Sequence, residues 1–251
     1  MIKVVRAIVL SLLIGVSTPL TAQTNTGGTL PPERERAALT HWQAGQYVSN
    51  KAIEWFGINH CFVIDTISSS VLKRMTGKSY PKDCPINLQS LRYLKVLHVD
   101  SLQKIRLGEI VCNERIAADL IDIFRKLYDA KYPIELITLV DNYDANDEAS
   151  MTANNTSCFC FRKVPNTTVL SKHARGLAID INPLYNPFIQ RLRNGKTVVQ
   201  PATATPYQNR KKQTPYTITP NDLLHRLFLQ HGFTWGGYWR NSKDYQHFEK
   251  K

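Results

Sequence analysis

The sequence predicts an α+β fold, with a mainly antiparallel sheet and helices on one side. Several segments in the middle of the chain have strand composition, because apolar and β-branched residues dominate them or alternate with polar ones. One strongly amphipathic helix lies among these segments, and shorter helical patterns occur towards both ends of the chain. Apolar residues make up 43% of the 251 residues, which is enough for a folded core.

The first 22 residues have the pattern of a secretory signal peptide. Lys3 and Arg6 precede a short apolar run, Ile8–Val16, and small residues precede a cleavage position after Ala22. The run is far shorter than the roughly 20 apolar residues that span a bilayer, so a membrane anchor is the less favoured alternative. We therefore predict an exported protein of the periplasm or cell envelope, with no stable membrane span once residues 1–22 are removed.

Charge and cysteine content narrow the expected partners. Without the two basic residues of the signal peptide, the formal net charge falls from +12 to +10, which suits an anionic polymer or surface outside the cytoplasm. Nucleic acid is not an expected partner, because no basic stripe is interleaved with stacking aromatic residues. The five cysteines are an odd set in which Cys61 and Cys84 could pair. Cys158 and Cys160 fit buried thiols better than zinc ligands.

Residues 23–85 are predicted to be a linker and a layer packed on the core rather than an independent domain. Helices are predicted within this layer at Glu33–Gln46 and Val71–Met75. Residues 86–251 are assigned to the domain that carries the chemistry.

The predicted sheet begins in the second of these regions. Its strands are expected at Tyr93–Val99, Gly108–Cys112, Pro133–Val140, Ser157–Val164 and Leu177–Ile181. The helix Glu114–Tyr128 has apolar residues at spacings of three and four, and Asn113 is suited to cap it. Asp141–Asn155 is predicted to be a polar loop, and loops of that length are usually functional or disordered. Residues 186–220 resemble an insertion with a hairpin turn at Asn194-Gly195, and a last helix follows at Asp222–His231.

One motif places a histidine just before a glycine turn and an aspartate on the polar face of the following strand. It is Ser-Lys-His-Ala-Arg-Gly-Leu-Ala-Ile-Asp, from Ser171 to Asp180. A carboxylate beside an apolar strand is costly to bury unless it is paired or binds metal. The motif alone also fits an Asp180 that is hydrogen-bonded to a turn and a His173 on a surface loop, so both interpretations stay open.

A second motif, Asp-Tyr-Gln-His-Phe-Glu, runs from Asp244 to Glu249. A histidine three residues after an aspartate places both groups near one point if the link is a turn. The alternative is a polar tail, but the aromatic segment Trp235–Trp239 just before it argues against one. These aromatic residues are equally suited to lining a cleft and to packing the core.

Together the two motifs supply two imidazoles and one carboxylate: His173, Asp180 and His247. Such a set binds one zinc ion and leaves a fourth position for water, whose pKa zinc lowers to about 7. Asp244 is close to a ligand in sequence but is not needed as one, so it can take the water proton and pass it to a leaving amine. Arg162 is the best candidate for stabilising the oxyanion of a tetrahedral intermediate.

The combination of Ser-x-His-x-x-Gly-x-Ala-x-Asp, Trp-Gly-Gly and Asp-x-x-His-Phe-Glu resembles the D-alanyl-D-alanine carboxypeptidase-like zinc peptidases. That group includes L-alanyl-D-glutamate endopeptidases and vancomycin-resistance dipeptidases, and it shares a fold with the hedgehog signalling domain. The resemblance covers roughly residues 86–251 and implies a hedgehog/D,D-peptidase-like fold. The long N-terminal region and the insertion after Asn186 are additional to the compact members and are expected to reshape the cleft.

The resemblance also implies residue roles. The positions that match zinc ligands are His173, Asp180 and His247. Asp244 matches the acidic general base, and Arg162 matches more loosely the arginine that contacts the substrate or the developing oxyanion. Ser171 matches a serine that contacts the substrate, and Glu249 is expected to accept a hydrogen bond from His247.

The predicted function is an exported zinc peptidase that acts on peptidoglycan peptides, either as a D,D-carboxypeptidase or as an L-Ala-D-Glu-type endopeptidase. The alternative is a zinc-bearing binding module of the same fold without catalysis. Asp244 argues against that alternative, because a pure binding module has no use for a spare carboxylate at the metal. A third hypothesis, an anion-binding surface protein, rests on the net charge alone. The sequence leaves the oligomeric state open.

Overall fold

A computed structural model describes residues 29–163 and 167–251. The predicted signal peptide, residues 1–22, lies outside the described residues. The helices described are α1 (Glu33–Thr40), α2 (Asn50–Phe56), α3 (Ser69–Met75), α4 (Glu114–Asp129), α5 (Asp147–Thr152) and α6 (Leu223–Gln230). The strands described are β1 (Tyr47–Val48), β2 (Val63–Thr66), β3 (Leu91–Val99), β4 (Ile105–Asn113), β5 (Leu136–Ile137), β6 (Asn155–Thr156), β7 (Ala178–Asp180), β8 (Phe188–Arg191), β9 (Thr197–Gln200), β10 (Thr234–Trp235), β11 (Lys243–Asp244) and β12 (His247–Glu249).

The fold is α+β, as predicted, but its strands are divided among several small sheets. Three of these sheets are antiparallel, with strand orders β1-β4-β3-β2, β10-β12-β7 and β11-β8-β9. A parallel pair, β5 and β6, forms a fourth. The longest strands, β3 and β4, pair along their whole length and form the centre of the molecule.

Side chains of β3 alternate between two apolar cores. Leu94 and Val96 face a first core together with α4 and α6. Leu91 and Leu97 face a second core together with α1, α2 and α3. The prediction of helices on one side is therefore wrong for this sheet. Both of its faces are apolar, and the N-terminal helices cover the face that α4 leaves open.

The helix α4 matches its prediction because its signals are local. The Asn113 side chain accepts a hydrogen bond from Arg115 N–H at 3.1 Å and caps the first turn. The buried residues of α4 all lie on one stripe and fill the first core: Ile116, Ala117, Leu120, Ile123, Phe124 and Leu127.

Two short strands in the C-terminal region position the polar residues of both motifs. Ile179 of β7 and Phe248 of β12 are fully buried in the first core. Because side chains alternate along a strand, their neighbours Asp180 and His247 point away from that core. Burying each apolar side chain is worth roughly 1.5–3 kcal/mol, so the strands that carry the polar residues are firmly anchored.

Three segments differ from their predictions. Asp141–Asn155 is not a loop, because the helical turn Val140–Tyr143 extends into it and the helix α5 lies within it. Pro133–Val140 contributes only the two residues of β5 to a strand. Ser157–Val164 was expected to be a strand, but the backbone N–H groups of residues 157, 159 and 160 bond to three different elements. Because these partners are scattered, the described residues 157–163 form only isolated bridges and no continuous ladder.

The insertion after Asn186 is a hairpin that reaches the second motif. Its strands β8 and β9 pair through the predicted turn, in which Gly195 has φ +82°. On its other edge β8 pairs with β11, so Phe188 lies opposite Asp244. The insertion thus supports the strand on which Asp244 lies.

The cysteines of the described chain are all free thiols, so the pairing of Cys61 with Cys84 is not formed. Cys158 and Cys160 are buried, as expected for small apolar residues. Within residues 29–163 and 167–251, no helix has the length and apolar character needed to cross a membrane.

Candidate metal centre

His173 is held by the extended segment that follows β6. Its Nδ1–H donates a hydrogen bond of 2.7 Å to the carbonyl oxygen of Cys158, an atom that can only accept. Its own backbone carbonyl accepts from Cys160 N–H at 3.2 Å. Since Nδ1–H is used in this bond, Nε2 is the ring nitrogen that faces Asp180 and His247.

The turn of His173 requires glycine at position 176. Gly176 has φ +64°, and a Cβ placed there would lie 2.6 Å from the backbone nitrogen of Asn113. Asn113 N–H donates to the Gly176 carbonyl at 2.9 Å, which ties the turn to the start of α4. The glycine of the first motif therefore has a packing reason as well as a conformational one.

Asp180 and His247 are neighbours because β7 and β12 pair in a register that sets them opposite each other. Asp180 Oδ1 accepts a hydrogen bond from His247 Nδ1 at 2.9 Å. Asp180 Oδ2 lies 3.2 Å from His173 Nε2, and that nitrogen lies 3.2 Å from His247 Nδ1. The three residues are 4%, 8% and 6% exposed for His173, Asp180 and His247. Their ligand atoms form a compact buried triangle.

The triangle is compact enough to surround a metal ion. Ligands about 2.0–2.1 Å from a tetrahedral zinc ion are about 3.3 Å from one another. One ligand atom from each residue lies within 4.8 Å of the other two, and the two imidazole nitrogens, His173 Nε2 and His247 Nδ1, lie 3.2 Å apart. In the part of the chain that the structure describes, no second group of three His, Cys, Asp or Glu side chains brings its ligand atoms this close together. These residues can therefore hold a metal ion.

The electrostatics of the triangle favour a positive charge beside Asp180. Burial opposes the imidazolium, but hydrogen bonds to Asp180 and Glu249 outweigh it and raise the pKa of His247 to about 10. Burial would also raise the pKa of Asp180, but His173 and His247 hold that pKa well below its ordinary value. Asp180 is therefore ionised. A metal cation that displaces the proton from His247 Nδ1 would face the negative carboxylate of Asp180.

Asp244 lies beside the triangle with a buried and unsatisfied oxygen. Its Oδ1 has no hydrogen-bond partner among the described residues. Burial raises the pKa of Asp244 to about 7, against the opposing charge of His247. A carboxyl group with such a pKa holds or releases a proton near neutral pH.

Gly236 brings Asp244 and His247 close together. A Cβ at Gly236 would lie 2.6 Å from the Asp244 carbonyl oxygen, 2.8 Å from Asp244 Cβ and 3.3 Å from His247 Cβ. The first glycine of the Trp-Gly-Gly segment is therefore required for space.

The Arg162 side chain forms an ion pair with Asp147, and its charge also acts on Asp244. Its Nη1 lies 2.9 Å from each oxygen of the Asp147 carboxylate. Its charge reaches the site, because it lowers the pKa of Asp244. The oxyanion role of Arg162 stays a prediction. Asp147, the ion-pair partner of Arg162, was not among the site residues predicted from the sequence. The only sequence signal for Asp147 was its place in a long polar segment.

Residues 165–250 match the sequence model of a family described as D-alanyl-D-alanine carboxypeptidase. This segment is D-alanyl-D-alanine carboxypeptidase-like. The resemblance drawn from the motifs is confirmed there, and the segment contains the triangle and Asp244. Arg162 and everything before it lie outside the match. No curated protein and no solved structure matches the chain, so the hedgehog-type fold stays a prediction.

Ser171 of the carboxypeptidase-like segment has a local role in the structure. Its Oγ accepts a hydrogen bond of 3.0 Å from Ala174 N–H and so caps the turn that carries His173. The substrate contact expected from the family stays a prediction for this residue.

The aromatic residues of the same segment divide between core and site. Trp235 is buried in the first core, and its Nε1–H donates to the Tyr245 carbonyl at 2.9 Å. The half-buried ring of Trp239 lies 5.3 Å from the His247 ring. Trp239, rather than Trp235, is therefore the tryptophan that borders the candidate metal centre.

Proposed function

We propose that the chain is a zinc peptidase that hydrolyses peptide bonds in peptidoglycan peptides, as a D,D-carboxypeptidase or an L-Ala-D-Glu-type endopeptidase. The observation that carries the proposal is the buried triangle of His173, Asp180 and His247 with a spare carboxyl group, Asp244, beside it. The peptidase family that matches residues 165–250 supports the substrate class.

In this proposal the triangle holds one zinc ion. Zinc bound there supplies a Lewis acid that makes water nucleophilic near neutral pH. Asp244 takes the proton that the attacking water loses and gives it to the nitrogen of the leaving amine. The Arg162 guanidinium donates hydrogen bonds to the oxygen that becomes negative. The buried carbonyl of Cys158 and the carboxylate of Glu249 fix the two imidazoles.

The decisive experiment is mass spectrometry of purified muropeptides incubated with the protein, with and without a chelator. We expect cleavage that the chelator abolishes and that added zinc restores, and the product masses identify the bond. Metal-free protein that cleaves at the full rate would contradict the zinc mechanism.

The substitution Asp244→Asn tests the assignment of the base. We expect the variant to bind zinc as wild type does and to lose hydrolysis by about 100-fold or more, because general-base catalysis contributes that much. Zinc content is measured by elemental analysis and turnover with the peptide identified above. Asp129→Asn, an exposed change on α4, is the matched control and should keep full activity.

The non-catalytic binding module remains the alternative outcome of these measurements. Wild-type protein that binds zinc but cleaves no muropeptide and no D-Ala-D-Ala peptide would favour it. A full rate for Asp244→Asn would instead remove the proposed base and keep the peptidase.

We further propose that the protein acts in the periplasm or cell envelope, where its substrate lies. The proposal rests on the pattern of residues 1–22. N-terminal sequencing of the protein from an envelope fraction should begin near Gln23. Intact protein recovered only from the cytoplasm would contradict it.

A further inference from the structure

Asp147 binds Arg162 with both of its carboxylate oxygens. Each oxygen lies 2.9 Å from Arg162 Nη1, and the side chains are 31% and 34% exposed for Asp147 and Arg162. A half-buried, charge-assisted contact of this kind is better defined than the exposed ion pairs of a protein surface.

The carboxylate of Asp147 is itself fixed by a rigid element. Asp147 is the first residue of α5, whose start is capped by the Asn146 side chain accepting from Ala149 N–H at 2.9 Å. The buried Ser150 of α5 accepts a hydrogen bond of 3.0 Å from the Asn155 amide. Asn155 in turn accepts from the backbone N–H of Thr138 at 2.8 Å. The helix is thereby attached to the pair of strands β5 and β6.

Arg162 is attached to the metal centre by its backbone. Its carbonyl accepts from Ser171 N–H at 3.1 Å, and Ser171 caps the turn of His173. Its guanidinium acts electrostatically on Asp180 and Asp244. Cys160, two residues before Arg162, donates its backbone N–H to the His173 carbonyl at 3.2 Å, so the segment that carries Arg162 borders the site.

The guanidinium keeps donors for a ligand. Asp147 binds one of its nitrogens, Nη1, and the Cys160 side chain is a second partner, whereas a guanidinium has five N–H groups. A free arginine side chain samples many rotamers, and a 1 Å misplacement of a catalytic group costs on the order of 100-fold in rate. A carboxylate that holds the Arg162 guanidinium in one position should therefore increase the rate of the reaction.

We propose that Asp147 is a positioning residue that holds the Arg162 guanidinium at the edge of the metal centre, where it meets the oxygen of the scissile carbonyl. The inference rests on the proposed function and adds to it a residue outside the segment that matches the peptidase family. Its competitor is an Asp147 that sequesters Arg162 from the substrate.

Kinetics of Asp147→Asn separate the two roles. The change keeps the shape of the side chain and removes its charge. We expect kcat to fall about tenfold or more, with KM within about twofold and zinc content unchanged, since the oxygen gains its charge only in the transition state. Asp147→Glu should recover part of the loss. An unchanged or increased kcat would overturn the proposal.

Asp144→Asn is the matched control. Asp144 lies three residues earlier, is exposed and pairs with Lys78, so the same loss of charge there should leave kcat unchanged. A double-mutant cycle completes the test. In an Arg162→Ala background, Asp147→Asn should have no further effect on kcat, because its only role is to hold the arginine. Additive losses would show that Asp147 acts by another route.

A spectroscopic readout keeps the inference testable without turnover. In ¹⁵N NMR of the zinc-loaded protein, the Arg162 side-chain N–H signal, assigned by its loss in Arg162→Lys, should be sharp. It should broaden in Asp147→Asn and stay sharp in Asp144→Asn. A sharp signal in Asp147→Asn would overturn the inference even if no peptide is cleaved. Absence of cleavage by wild type would instead count against the proposed function.

Discussion

His247 binds two carboxylates through its two ring nitrogens. Nδ1 donates to Asp180 at 2.9 Å, and Nε2 donates to Glu249 at 3.2 Å. Since β12 places residues 247 and 249 on the same face, Glu249 reaches the outer nitrogen of the ring. The contact expected for Glu249 from the motif is present. It fixes the ring so that Nδ1 is the nitrogen that faces Asp180 and His173, and Nδ1 can bind a metal once it loses its proton.

Glu249→Ala should therefore weaken the proposed zinc binding without removing a proposed ligand. We expect the affinity to fall about 10- to 100-fold, the usual cost of losing an acceptor behind a metal-bound imidazole. Competition with a chromophoric chelator measures it, and Glu114→Ala, which removes a partly exposed carboxylate on α4, is the control. Unchanged affinity in Glu249→Ala would show that the hydrogen bond does not orient the ring.

His98 affects stability rather than the site. It is 2% exposed, its Nδ1–H donates to the Ile134 carbonyl at 2.7 Å, and its Nε2 has no partner among the described residues. Burial lowers the pKa of His98 to about 3. The unfolded chain takes up a proton below its ordinary pKa of about 6.5, whereas the folded chain does not. The contribution of His98 is thus complete above pH 6.5 and is lost as the pH falls towards 3.

Urea denaturation of wild type and His98→Gln should show this loss. Between pH 6.5 and 4.5, the free energy of unfolding of wild type should fall relative to that of the variant by up to about 1.4 kcal/mol per pH unit. The exposed His41 provides the control variant, His41→Gln, which should follow wild type. A difference between wild type and His98→Gln that does not change with pH would exclude His98 as the source.

At the scale of elements, the turn Gly236–Tyr238 sets the distance between Asp244 and His247. In Gly236→Ala the new methyl group would meet the Asp244 backbone and displace its carboxylate. We expect kcat to fall on the order of 100-fold, the cost of a shift of about 1 Å in a catalytic group. Ser69→Ala, a change at an exposed position of α3, is the control and should keep its activity. Full activity in Gly236→Ala would mean that the turn can move without displacing the base.

The elements that the sequence predicted well are those with long regular patterns. β3, β4 and α4 extend for 9, 9 and 16 residues, and their alternation or helical stripe is clear in the sequence. α5 was missed because it is six residues long and stands in a polar segment. Segments that short have no periodicity to detect, and their conformation depends on partners far along the chain.

At the scale of the whole molecule, a metal that joins β7, β12 and the turn of His173 should stabilise the fold. At 100 times its dissociation constant, a ligand specific for the folded state adds about 2.7 kcal/mol. For a domain of this size the melting temperature should rise by about 5–10 °C with zinc. Differential scanning calorimetry measures the rise, and it should disappear in Asp180→Asn. An equal rise in that variant would place the metal elsewhere.

The sequence by itself determined the chemical set of the candidate site. His173 and Asp180 share one short motif, and Asp244 and His247 share another, so the two motifs together with the family resemblance named these four residues as candidates. Only the tertiary structure decided how they meet. Asp180 and His247 are 67 residues apart and become neighbours through strand register. The pair Asp147–Arg162 and the helices on both faces of the central sheet also depend on packing. Periodicity and spacing encode contacts within an element, whereas contacts between elements follow from the packing of all of them.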